Sequence, residues 1–264
     1  MAMDNFESSR IVTKDRPKMA KPVLIVGLPG IGLVSKLAAD NLVKSLKARR
    51  FATLYSPHFP NQVLALKNGR LRLFSMKFFH AKVGKRDVIA LKGDLQPLTV
   101  EGQYEVSAKV LEFAKSLGCV EVLAMAGYAT SGMPQKPRVF ATSTSKKMLS
   151  HLMKSGCSLS PNIVPIVGMA GMVPAIAPMY GIDGACLLVE TPGPIADANG
   201  SKALTEVISR LLGGKVDTAQ LSKRAEKASR LIAQFERQAA KAGAAPAEGV
   251  AMPEMGKSDL SYIR

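Results

Sequence analysis

The chain has 264 residues, 36 of them Lys or Arg and 20 Asp or Glu, for a formal charge of +16; 47% are hydrophobic, 5% are aromatic, and Trp is absent. A chain this long hides roughly 70–75% of its unfolded surface, so it needs no disulfide or metal staple, and the composition is globular rather than disordered. The three cysteines, Cys119, Cys157 and Cys186, form no C-x-x-C pair, the N-terminal stretch to Lys21 lacks an apolar signal core, and no run is apolar enough to span a bilayer; the reading is a protein of the reducing cytoplasm with no zinc site, leader or membrane span.

Residues 1–20 are polar and read as a tail or an edge extension. Val23-Leu24-Ile25-Val26 predicts a buried strand, which Gly27-Leu28-Pro29-Gly30-Ile31-Gly32 turns. Leu33, Leu37, Asn41, Leu42 and Leu46 predict a helix over about 31–47, and Phe51–Ser56 a strand. Val63–Lys67 and Arg70–Phe74 flank Asn68-Gly69, a pair that tolerates the two positive φ angles of a type I′ turn. A hairpin follows, with Arg70 and Arg72 on one face and Leu71 and Leu73 on the other. A second turn at Gly84–Asp87 leads into the buried strand Val88–Leu91.

From there the pattern alternates. Helix Thr99–Leu117, strand Val120–Ala126 and a Gly- and Pro-rich loop from Gly127 to Pro137 precede a short strand near Val139. A helix near Ser145–Ser155, strand Ile163–Val167, a helix near Met172–Tyr180 capped by Gly181, strand Ala185–Val189 and helix Ala198–Leu212 complete the series. Strands alternating with helices imply βαβ units, hence an α/β fold with a largely parallel sheet and helices on both faces. Beyond Gly213-Gly214, Asp217–Gln220 resembles a capping box. Leu221, Ala225, Ala228, Ile232, Phe235 and Ala239 then form one apolar stripe, predicting an amphipathic helix to about Ala242. Residues 243–264 have no period and read as a flexible tail ending in Leu260-Ser261-Tyr262-Ile263-Arg264. A tail that folds onto nothing gains nothing from such an apolar end, which favours a docking role over packing on its own domain. The organisation is therefore a polar tail (1–20), an α/β domain (21–215), a C-terminal helix (216–242) and a tail (243–264).

Five glycine-rich turns follow predicted strands: Gly27–Gly32, Gly93–Pro97, Gly127–Thr130, Gly168–Gly171 and Glu190–Gly193. In a parallel sheet these gather at the carboxyl edge, where open α/β sheets place ligands and where helix N-termini suit anions. The candidate pocket residues are Gly27, Gly30, Gly32, Asp94, Gln96, Tyr128, Glu190 and Thr191. The first turn reads G-x-x-G-x-G, which is neither a dinucleotide fingerprint nor a P-loop. Asp94 and Glu190 could pair as carboxylates, but His58, His80 and His151 fall outside all five turns and have no metal-ligand spacing, and no G-x-S-x-G is present. No catalytic constellation, metal site or cofactor is expected, and tight βα connections account for the turns more simply than catalysis does.

Charge is concentrated between Lys36 and Arg86, with twelve Lys or Arg and one acid, Asp40. Such a block attracts acidic surfaces or is simply a solvated face. The absence of a nucleic-acid motif or a row of stacking aromatics argues against nucleic acid as the partner.

Pro22-Val-Leu-Ile-Val-Gly-Leu-Pro-Gly-Ile-Gly-Leu-Val34 with Lys36-Leu37-Ala38 resembles the opening of the archaeal proteasome assembly chaperone family, second type. Gly93-Asp-Leu-Gln-Pro97 followed by Tyr104 resembles its next block, and Gly181-Ile-Asp-Gly-Ala-Cys-Leu-Leu-Val-Glu-Thr-Pro-Gly193 its last. The resemblance covers about residues 20–215. It implies a three-layer α/β/α fold with a mostly parallel mixed sheet, like that of nucleoside phosphorylases and related hydrolases. It also implies self-association into homo-oligomers, no established enzyme activity, and proteasome α subunits or the core particle as partners. Some relatives end in a hydrophobic-Tyr-X motif that docks between α subunits. Here Leu260, Tyr262, Ile263 and Arg264 are the corresponding partner-binding candidates, but the penultimate residue is Ile263, with Tyr262 one place earlier. The alternative is an enzyme or sensor that binds a phosphorylated small molecule at the carboxyl edge of the sheet.

Overall fold

The computed structural model describes residues 6–223, apart from 131–133, 135, 161–164 and 194. At its centre are strands too apolar to face water on either side. β2 (Val23–Gly27) is buried at every position, β7 (Arg86–Gly93) and β10 (Asp183–Thr191) are buried over most of their lengths, and β8 (Glu121–Ala129) is buried from Val122 to Met125. These four run parallel in the order β7-β2-β8-β10. Antiparallel strands extend them on both sides: β6 (Met76–Val83), β3 (Arg49–Tyr55) and β1 (Arg10–Thr13) beyond β7, and β9 (Val139–Ser143) beyond β10. The sheet order is β1-β3-β6-β7-β2-β8-β10-β9, and β3 shares the direction of the parallel four.

Strand alternation divides the core into two halves. Val23, Ile25, Leu123, Met125 and Leu187 point to one face, where they meet α1 (Val34–Ser45), α3 (Lys146–Lys154) and α5 (Ala198–Leu212). Leu24, Val26, Val122 and Ala124 point to the other, where they meet α2 (Val100–Ser116) and α4 (Met169–Ile176). The result is an α/β/α sandwich with a mixed sheet, with helices on both faces as the alternation of elements implies and in the three layers that the resemblance implies. Side chains set the helix starts: the Thr99 hydroxyl accepts from Gly102 N at 3.0 Å, and the Asp197 carboxylate accepts from Asn199 N and Gly200 N at 2.9 and 3.0 Å. Gly213 ends α5 in the left-handed region at φ 68°.

Several local expectations are corrected. β6 is a strand that the sequence pattern does not predict; its apolar Met76 and Phe78 alternate with the cationic Lys77 and the half-buried Phe79 and His80, which blurs the period. β8 runs on to Ala129, so Gly127–Ala129 is strand rather than turn, because it pairs with Val189–Thr191 of β10. Pro165–Val167 is not a strand, and Ile163 and Val164 lie outside the described residues. Asn68-Gly69 does not form a type I′ turn. Only Gly69 takes a positive φ, 76°, with its N–H donating to Leu66 O and Leu66 N donating to Arg70 O. That is a type I turn with a glycine bulge, which places β4 (Val63–Ala65) and β5 (Leu71–Leu73) in a two-stranded sheet of their own. Of residues 1–20, Arg10–Thr13 extends the edge of the sheet as β1. Of the predicted 216–242 helix, Leu221 packs on Leu37; residues 224–242 and the tail with Leu260, Tyr262, Ile263 and Arg264 lie outside the described residues.

Candidate functional site at the carboxyl edge of the sheet

β2, β7, β8 and β10 end at one edge of the sheet, with β8 and β10 running on past the other two to Ala129 and Thr191, which gathers the turns that follow them there. Glycine allows the close approach there. A Cβ on Gly27 would lie 2.3 Å from the Ala39 Cβ, and one on Gly127 would lie 2.6 Å from Ile31 O. Gly30 is extended and open, whereas Gly32 is left-handed, with Thr191 Oγ1 2.4 Å from where its Cβ would be.

The turns hold one another. Gly32 N donates to Gly193 O at 2.9 Å, Asp197 N to Gly32 O at 2.8 Å, and Thr130 N to Thr191 O at 3.0 Å. Gln96 bridges two of them, donating from Nε2 to Pro29 O at 2.7 Å and accepting from Met169 N at 2.9 Å through Oε1. That bond brings the Gly168–Gly171 turn to the edge even though Pro165–Val167 before it are not strand. The backbone N–H groups of Gly32, Thr130 and Met169 are thus engaged within the protein. The buried Thr191 Oγ1 has no hydrogen-bond partner among the described residues and faces Gly32.

The two candidate carboxylates do not meet. Asp94 and Glu190 sit at the ends of strands three positions apart, roughly 14 Å at the usual strand spacing. Asp94 accepts from both Arg72 Nη atoms and from Ser75 N, with Lys77 Nζ at 3.7 Å. Burial alone would raise its pKa, but the Arg72 hydrogen bond and the Lys77 and Arg72 charges outweigh that and hold the carboxyl below its usual range. Glu190 is buried against Arg138, accepting from its backbone N at 2.8 Å, Nε at 3.0 Å and Nη2 at 2.6 Å. The Arg138 hydrogen bonds, working against burial, lower its pKa too. Both groups are ionised partners of arginine, which is the opposite of the raised pKa a general acid near neutrality needs. Tyr128 packs edge-on against Phe140 at 5.7 Å between ring centroids. Sequence reasoning misses Arg72 and Arg138 as carboxylate partners; each reaches its carboxylate across the fold, where no local spacing signals it.

Beside the edge, Asp40 of α1 takes Lys36 at 3.1 Å and also pairs with Lys92 of β7, whose ammonium lies over the Phe79 ring. Two cavities lie elsewhere. A groove of about 1010 Å³ runs between edge strand β1 and α2, and one of about 310 Å³ at the amino end of the sheet is lined by Arg86, His151, Lys154 and Arg210. Lys154 and Arg210 end α3 and α5, where the helix dipole favours cations. The three cysteines are free and buried, and burial pushes the Cys119 and Cys186 thiols up to about 12 and Cys157 to about 11. Among the described residues no cluster of three His, Cys, Asp or Glu could hold a metal, and no helix is long and apolar enough to cross a membrane.

A profile of the PAC2 family matches residues 24–236. The chain belongs to the PAC2 family. A 32% identical relative, an uncharacterized protein of Methanocaldococcus jannaschii, aligns over 95% of each chain. Among solved structures, Pyrococcus furiosus PbaB, an archaeal proteasome activator, is similar at 36% identity with a TM-score of 0.78, covering 87% of this chain and 99% of that one. P. furiosus PbaA, an archaeal homolog of proteasome-assembly chaperone, is similar at 25% identity with a TM-score of 0.73, covering 89% and 99%. PAC2 membership agrees with the three blocks quoted from the sequence, all of which lie largely within the matched span.

Proposed function

We propose that this protein is a non-enzymatic, cytoplasmic proteasome assembly chaperone or docking adaptor that binds proteasome α subunits or the α-ring and works as a homo-oligomer. The observation that carries this reading is the similarity to PbaB, a proteasome activator, over nearly all of that chain. The state of the carboxyl edge supports the non-enzymatic part, since its two carboxylates are already committed to arginine partners. In this reading Leu260, Tyr262, Ile263 and Arg264 form the docking segment, closing a stretch rich in Ala, Gly, Pro, Met and Glu. A tether of about 20 residues has a typical reach of roughly 25 Å, enough to engage a partner away from the folded domain.

The test is a pull-down of the organism's proteasome α subunits and core particles by the full chain and by a version lacking Leu260–Arg264. The full chain is expected to bind and the truncated one to lose most of that binding. Equal binding by both would move the interface onto the folded domain, and no binding by either would end the proteasome assignment.

A further inference from the structure

The β4–β5 hairpin has its apolar face turned outward. Val63 pairs with Leu73 and Ala65 with Leu71, so these four side chains share one face of the hairpin. That face is open to solvent: Leu71 is 73% exposed, Val63 52% and Leu73 50%. Arg72, alternating with the two leucines, is instead tied to the body of the protein by Asp94. Leu66 at the turn is also exposed. A two-stranded sheet is marginal in water, and an apolar face adds nothing to it until something covers that face.

The same chain carries a surface of matching character. Leu98, Val100 and Tyr104, at the start of α2, are exposed at 57%, 68% and 58% and surround the exposed Glu101. Glu101 forms no ion pair among the described residues, and neither do Lys67 and Arg70 at the hairpin tip. One surface is apolar with cations, the other apolar with an acid in the first turn of a helix. Both lie at one end of the molecule: the loop before the hairpin rests on α2, with Leu98 N donating to His58 O and the His58 ring against Gly102. Two copies of a chain with charge +16 repel each other, so a stable contact between them belongs where the local sign reverses.

We propose that the β4–β5 hairpin of one copy packs its Val63, Leu71 and Leu73 face on Leu98, Val100 and Tyr104 of a second copy, with Lys67 and Arg70 facing that copy's Glu101. This rests on the reading that the chain self-associates and names the surfaces that do it. Sedimentation equilibrium of the full chain across a concentration series measures it. Wild type is expected to assemble, Leu71→Lys/Leu73→Lys to sediment as a monomer, and Val100→Lys to do the same. Lys67→Glu/Arg70→Glu should weaken assembly about tenfold, and adding Glu101→Lys to that variant should restore most of it. The charge swap uses exposed positions only, so it decides the matter even if the leucine variant misfolds. A monomeric wild type overturns self-association and this contact together. A wild-type assembly indifferent to the leucine and charge variants overturns this contact alone.

Discussion

Gly30 and Gly32 stand two residues apart in one turn and are used differently. Gly32 has φ 61°, a region that costs an L-residue roughly 1–2 kcal/mol, and its missing Cβ leaves the space that Thr191 Oγ1 occupies. Gly30 is extended at φ −171°, and a methyl group added there would meet nothing within 4 Å. Gly32→Ala should therefore lower the free energy of unfolding by about 2–3 kcal/mol, the backbone penalty plus displacement of Thr191. Gly30→Ala should change it by less than about 0.5 kcal/mol. Urea denaturation of the two variants checks both. Equal effects would mean that the turn relaxes freely and that the Gly32–Thr191 packing has no energetic consequence. The turn is visible in the sequence as glycine spacing, but which glycine is conformationally required is not, because φ depends on how Gly193 and Asp197 hold Gly32 from another part of the chain.

Elements are legible where one physical signal dominates. The apolar runs of β2, β7 and β10 and the periodicity of α5 read directly, since burial on both faces or on one stripe leaves a plain pattern. β6 is hidden because it combines a core-facing Met76 and Phe78 with a cation that serves Asp94, so two demands share one strand. The hairpin's existence is legible, but the side it turns to water is not; Asp94, more than twenty residues away, decides that by holding Arg72. At the carboxyl edge the turns are legible and the bonds among them are not, because Gln96, Gly193 and Asp197 reach their partners from distant parts of the chain. Those bonds make the Asp197 cap more than a local device. Its carboxylate serves two N–H groups of α5, and its own N–H holds Gly32. Asp197→Ala should cost about 1–2 kcal/mol, against about 1 kcal/mol for Thr99→Ala, whose hydroxyl serves one N–H of α2. Hydrogen exchange should quicken at Gly32 as well as at Asn199 and Gly200 in the first variant. Quickening confined to α5 would show that the edge does not depend on the cap.

At the scale of the molecule, charge, self-association and docking become one question. Of the twelve cations from Lys36 to Arg86, Lys36, Arg72, Lys77, Lys82 and Arg86 lie within 4 Å of carboxylates, while Lys44, Lys47, Arg49, Arg50, Lys67, Arg70 and Lys85 make no ion pair among the described residues. The surface stays strongly basic, which speeds encounter with an acidic partner at low salt but fades beyond about 8 Å at physiological ionic strength. If the chain docks on a ring of α subunits as proposed, several contacts hold it longer than one. An assembly that presents several copies of Leu260–Arg264 turns the second and later docking events into intramolecular ones, raising avidity by roughly 10²–10⁴ without any new contact. The Leu71→Lys/Leu73→Lys variant keeps Leu260–Arg264 in every copy and, if the hairpin makes the contact between copies, loses only the assembly. Its binding to immobilised core particles should weaken at least about 100-fold in apparent Kd, mostly through faster dissociation, while full chain and variant should compete equally for a single isolated α subunit. If the variant holds core particles as tightly as wild type, each segment docks on its own and self-association serves some other end. If it loses the isolated subunit as well, the hairpin itself touches the proteasome.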